Sequence, residues 1–89
     1  MSEPTTARMN DDQVLSFLRS ELRAIRPTLP PTLPVQANFR TDLLLDSLDL
    51  VELVARIERR YALIIPDQDL PEFVSLEATV RYIFARVSI

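Results

Sequence analysis

Residues 42–61 read DLLLDSLDLVELVARIERRY. Leu50, Leu53, Val54, Ile57 and Tyr61 recur at the period of an α-helix and make one apolar stripe. Leu48, Val51 and Ala55 make a second, narrower strip on another side. A helix with two such strips either lies deep in a core or shows one strip to a partner. A chain of 89 residues has little interior to surround a helix, so the second strip is read as a partner surface. Asp46 or Ser47 opens this helix, and it is predicted to run to Tyr61.

Upstream, Asn10 is placed to cap a first helix, with Asp11 and Asp12 in its first turn and Gln13 at the capping-box position. Val14, Leu15, Leu18, Leu22 and Ile25 give that helix its apolar face over Asp11 to Arg26, and Pro27 stops it. From Pro27 to Leu45 the chain is read as a long loop, because Pro27, Pro30, Pro31 and Pro34 rule out helix and central strand over most of it. Leu29, Leu33, Val35 and Phe39 predict that this loop is packed down, and a loop of such length in a compact domain is often functional.

Downstream, Ala62 to Ile65 is apolar but has no second strand to pair with. Asp67 to Phe73 is predicted to be a short helical turn, with Pro71 tolerable only near its start. Ser75 caps a last helix whose buried face is Leu76, Val80, Ile83, Phe84 and Val87. The expected organisation is a disordered tail over 1–9 and one domain over 10–87, all-α, with three main helices, one short helix and a long first loop.

The composition narrows the function. There is no cysteine and no histidine, which removes disulfides, thiolate metal sites and the usual general base. Ten basic residues, all arginine, stand against thirteen acidic ones for a net charge of −3, which argues against nucleic acid as the partner. No metal site, no membrane span and no apolar signal segment are expected, and the reading is a cytoplasmic monomer. Glycine is absent too, so every tight turn must be made without the residue that most easily takes positive φ.

The segment Asp42-Leu43-Leu44-Leu45-Asp46-Ser47-Leu48-Asp49, running on to Val54, resembles the attachment motif of acyl carrier proteins. That motif is a short acidic-apolar lead, then Asp-Ser-Leu, opening the second helix of a four-helix bundle. Ile65-Pro66-Asp67 resembles the Ile-Pro-Asp that follows this helix in the family, and Val80-Arg81-Tyr82-Ile83 resembles its last-helix ending. Asp-Ser-Leu alone would be a weak signal. Joined to the other two at this spacing it is strong, and the likeness covers about Asp11 to Arg86.

The resemblance implies a stand-alone carrier without catalysis of its own. It holds acyl intermediates as thioesters on a 4′-phosphopantetheine arm, attached to Ser47 by a phosphopantetheinyl transferase. Taken alone, a serine before an apolar helix reads as a plain cap. With the surrounding pattern, Ser47 is read as the attachment residue, at a helix N-terminus that tolerates phosphate. Asp46 resembles the family acid that assists the transferase's metal ion. Asp42, Asp46, Asp49 and Glu52 are read as a docking patch, beside Leu48 and Val51. The implied partners include a ligase, a ketosynthase and an acyltransferase.

Two departures from the family stand out. Leu44 occupies the position where the family usually has glycine. Arg56, Arg59 and Arg60 stand where carriers of fatty acid synthesis tend to be acidic, which would repel enzymes that read an acidic helix. A specialised lipid, polyketide or other secondary-metabolite pathway is therefore expected, with Arg56, Arg59 and Arg60 among the partner-binding residues. Two other readings stay open. An aminoacyl or peptidyl carrier shares the fold and the arm, but usually has a different residue before the serine. A helical adaptor would bind partners without carrying anything, and would leave Ser47 unmodified.

Overall fold

The structure, a computed structural model, describes residues 10–87. The proposed tail over 1–9 lies outside the described residues. Among these, the regular structure is entirely helical: α1 (Asp11–Ile25), α2 (Ser47–Tyr61), a short 3₁₀ helix (Asp67–Glu72) and α3 (Leu76–Val87). The expected all-α class and helix order are observed.

α1 begins as its sequence dictates. The Asn10 side chain accepts from the Gln13 N–H at 2.8 Å, and the Asn10 N–H donates back to the Gln13 amide oxygen at 3.4 Å. Val14, Leu18 and Leu22 are buried, while Leu15, Phe17 and Ile25 are half-buried against the core. On α2 the stripe Leu53, Val54 and Ile57 is buried, with Leu50 and Tyr61 packed at its margins. On α3 the buried residues are Leu76, Thr79, Val80, Tyr82 and Ile83. Phe84 and Val87, expected on that face, are half-buried. Thr79 takes its place because its hydroxyl donates to the Ser75 carbonyl at 2.8 Å and so carries no unsatisfied polar group inside. Ser75 caps α3, its hydroxyl accepting from the Ala78 N–H at 3.1 Å.

The long first connection is packed down, as its apolar residues predict. Leu33 and Phe39 are fully buried, and Leu29 and Leu45 nearly so. Two arginines of α1 fasten it. Arg19 donates through Nε and Nη2 to the Leu33 carbonyl at 3.3 and 2.8 Å, and Arg23 through Nε to the Leu29 carbonyl at 3.4 Å. Backbone bonds fasten its far half: Phe39 N–H to Val74 O at 2.8 Å, Leu45 N–H to Phe39 O at 2.8 Å, and Glu77 N–H to Val35 O at 2.9 Å. Between them Asn38 stabilises a turn with its side chain. Its side-chain oxygen accepts from the N–H groups of Arg40 and Thr41, and its own N–H donates to Asp42 Oδ2.

Ala62–Ile65 forms no strand. Ala62 ends α2 in the left-handed region, at φ 55° and ψ 48°, and Ile65 returns to the core. Its N–H donates to Glu58 Oε2 at 2.7 Å. Pro71 lies in the second half of the 3₁₀ helix, not near its start. The element is so short that one missing amide donor breaks no long hydrogen-bond ladder.

The 3₁₀ helix is pinned to α3 by a polar cluster around the buried Asp69. Tyr82 donates its hydroxyl to Asp69 Oδ2 at 2.6 Å. Arg86 donates to the same oxygen at 2.8 Å and lies over the Tyr82 ring at 4.6 Å. Burial, and then the bond to Asp69, pushes the Tyr82 hydroxyl up from its ordinary 10.0 to about 12.

Two stability measurements check this packing. Leu53 is fully buried, so Leu53→Ala should cost about 2–5 kcal/mol in urea unfolding. Because the folded pKa of Tyr82 is raised, its contribution is complete below the unfolded value near 10 and is lost as pH rises toward about 12. Wild type should therefore lose thermal stability across that alkaline window, and Tyr82→Phe should flatten the loss.

Candidate functional site

The start of α2 is built around Asp46. Its backbone is extended, and its carboxylate accepts from the Asp49 N–H at 2.9 Å, while Asp49 Oδ2 accepts from the Asp46 N–H at 3.0 Å. This is a reciprocal capping box formed by two aspartates. The bond from the Asp49 amide, aided by the charge of Arg26, holds the Asp46 carboxyl below its usual range.

The cap is thus Asp46, and Ser47 is the first residue inside the helix. The alternative in which Ser47 itself caps the helix does not hold. Its side chain is exposed, and among the described residues its hydroxyl makes no hydrogen bond. A phosphoryl group of a covalently attached arm fits this position: the oxygen projects into solvent and is not spent on the helix.

Leu45, two residues before Ser47, is buried and anchors the approach to the helix. Leu44 is 70% exposed and sits at φ 60°, in the left-handed region. This is the position that departs from the glycine of the family that the sequence resembles, and here a leucine bears the strain of a left-handed backbone.

The second apolar strip of α2 is on the surface, as expected: Leu48 is 78% exposed and Val51 51%. The charged residues divide. Asp42 serves the Asn38 turn. Asp49 is held by Arg26 at 2.8 Å. Arg56 is engaged twice, with Glu21 and with Glu52, both at 2.8 Å, which draws Glu52 into the same network. Arg60 lies 5.4 Å from the Phe17 ring centre and 5.9 Å from that of Tyr61. There it borders an open depression of about 690 Å³ between the start of α1 and the end of α2, at the opposite end of α2 from Ser47. Arg59 is exposed, makes no ion pair among the described residues, and continues the strip Leu48, Val51, Ala55 at helical spacing. The three arginines therefore have different surroundings: Glu21 and Glu52 engage Arg56, Phe17 and Tyr61 flank Arg60, and Arg59 is exposed.

Arg26 is the site residue that the sequence reading missed. As the last residue before Pro27 it reads as a helix ending, and nothing in local spacing shows that it reaches another helix. Its Nη2 lies 2.8 Å from Asp49 Oδ2 and 3.8 Å from Asp46 Oδ2. Among the described residues no group of three or more potential metal ligands is brought together, and no helix is long and apolar enough to cross a membrane.

Replacing Leu44 by glycine tests the backbone reading. Relief of the left-handed strain, less the added entropy of the unfolded chain, should stabilise the fold by about 0.5–1 kcal/mol in thermal or urea unfolding. A loss of stability would show that the Leu44 side chain contributes more than its conformation costs.

The site agrees with what comparison with known proteins finds. The family described as "Phosphopantetheine attachment site" matches residues 12–83. The chain is 40% identical over 79 residues to "Acyl carrier protein, mitochondrial" of Neurospora crassa, covering 88% of this chain and 59% of that one. It is 42% identical over 48 residues to "Acyl carrier protein" of Rubrobacter xylanophilus, covering 54% of this chain and 59% of the relative. It is 35% identical over 72 residues to "Acyl carrier protein 2, mitochondrial" of Arabidopsis thaliana, covering 81% and 54%. The chain thus spans a little over half the length of these curated relatives. Members of this family are carriers, not enzymes, and hold 4′-phosphopantetheine covalently. A match over most of the folded chain, with acyl carrier relatives across the same residues, establishes that this chain belongs to the acyl carrier protein family of phosphopantetheine-binding domains.

Proposed function

We propose that the chain is an acyl carrier whose arm is attached to Ser47. The observation that carries this reading is the division of labour at the start of α2. Asp46 caps the helix and leaves the Ser47 hydroxyl exposed and without a hydrogen-bond partner among the described residues. In the modification, Ser47 Oγ attacks the phosphorus of coenzyme A that bears the pantetheine. The new O–P bond replaces the pyrophosphate P–O bond, adenosine 3′,5′-bisphosphate departs, and the hydroxyl proton passes to a base of the transferase. The arm supplies a terminal thiol, which carries the acyl group as a thioester in a chain that has no cysteine.

The partner face is the strip Leu48, Val51 and Ala55, with Asp46 and Glu52 toward its start and Arg59 at its far end. Leu48 and Val51 offer exposed apolar contacts beside the attachment point. The transferase and the enzymes that load and process the acyl group would use this face in turn. The positive end at Arg59 supports enzymes dedicated to this carrier, in preference to those that require an acidic helix end. Arg56 contributes to the face through its hold on Glu52, and Arg60 lies off it, beside Phe17.

Incubation with coenzyme A, magnesium and a broad-specificity phosphopantetheinyl transferase, read by intact mass, tests the attachment. Wild type should gain one phosphopantetheinyl group and Ser47→Ala none. A gain in both would move the site elsewhere. A gain in neither, repeated for protein isolated from its native host, would favour the adaptor reading.

A further inference from the structure

We propose that Arg26 is the built-in counter-ion of the attached arm, a positioning residue that offsets the negative charge arriving at Ser47; this rests on the attachment reading above. Arg26 closes α1, its N–H donating to the Leu22 carbonyl at 2.7 Å. Its side chain leaves that helix and crosses to the start of α2. There the guanidinium meets Asp49 at 2.8 Å and Asp46 at 3.8 Å. These two carboxylates stand one residue before and two residues after Ser47, so the guanidinium lies at the same helix turn as the attachment position.

The charges require such a group. A phosphodiester on Ser47 carries one negative charge throughout the working pH range, and it arrives at a helix turn that already holds two carboxylates. The amides of the first turn, which ordinarily favour a phosphate at a helix start, are partly taken: the Asp46 carboxylate accepts from the Asp49 N–H at 2.9 Å. Among the described residues, Arg26 is the only cation paired with the acids flanking Ser47. It is also free to serve a third anion. Its side chain is 35% exposed, only Nη2 is engaged by the aspartates, and no protein group among the described residues accepts from its Nε or Nη1. A guanidinium with open donors beside a phosphodiester is suited to bind it in a fork geometry. The two acids and the arginine together carry a net charge of −1 before modification and −2 afterwards, and Arg26 is the positive group among them.

A thermodynamic cycle tests the coupling. Wild type and Arg26→Gln are each melted before and after exhaustive phosphopantetheinylation, with conversion confirmed by mass. Modification should lower Tm in Arg26→Gln by about 2–4 °C more than in wild type. The difference should shrink in about 1 M salt, where the screening length falls to roughly 3 Å, and Arg26→Lys should recover part of it. Ser47→Glu, which places a fixed negative charge at the same position without the transferase, should repeat the sign of the effect when crossed with Arg26→Gln. Equal Tm changes on modification in both backgrounds would mean that Arg26 serves only as a bridge between helices, and would overturn the proposal. Absence of any mass gain in wild type would instead overturn the attachment reading on which it rests.

Discussion

Burial of Phe39 is the constraint on which the rest of this small structure depends. The residue lies in the longest non-helical stretch, fully buried, with its N–H bonded to Val74 ahead of α3 and its carbonyl bonded to Leu45 ahead of α2. One residue thereby ties the loop to the approaches of two helices through its backbone. Without it, the loop would contribute little apolar burial against the cost of ordering so many residues. Arg19 and Arg23 complete the hold from α1, at carbonyls that proline-rich backbone cannot satisfy internally. The start of α2 is rigid because the segment leading to it is part of the core.

Rigidity there is what lets the proposed attachment position be simple. Leu45 is buried, Asp46 caps, and the next side chain faces water. The chemistry that the carrier needs, a thiol on a long arm, comes with the cofactor, so the protein has only to present one oxygen and surround it with suitable charge. An enzyme would have to orient a base and a nucleophile; this chain contains no histidine or cysteine and does not need them.

Much of this was legible in the sequence. Helix order, the buried stripe of α2, the packed loop and the exposed Leu48 and Val51 all follow from periodicity and from prolines, which act locally. What escaped was non-local. Arg26 sits at a helix end in sequence and at a different helix in space. Arg56, Arg59 and Arg60 read as one basic cluster, yet Glu21 of α1 engages Arg56 and Phe17 of α1 lies beneath Arg60, contacts that local spacing does not show. Tyr82 and Asp69 were hidden for the same reason, since their pairing joins two elements thirteen positions apart. The choice of cap between Asp46 and Ser47 was undecidable from residue type, because both are good caps; hydrogen-bond geometry separates them.

The absence of glycine has a mechanical consequence. The two left-handed residues in the described chain, Leu44 and Ala62, stand at either end of α2. Each holds its backbone where a side chain is disfavoured, so unwinding at that point relaxes strain where a glycine would have had none to release. At the start of α2 the buried Leu45 opposes that release, so the bias toward local opening falls on the Ala62 end, while Leu53 and Ile57 keep the middle of the helix in the core. The element behaves like a beam clamped at its start and centre and sprung at its far tip, so any yielding under a larger protein falls at the end away from Ser47.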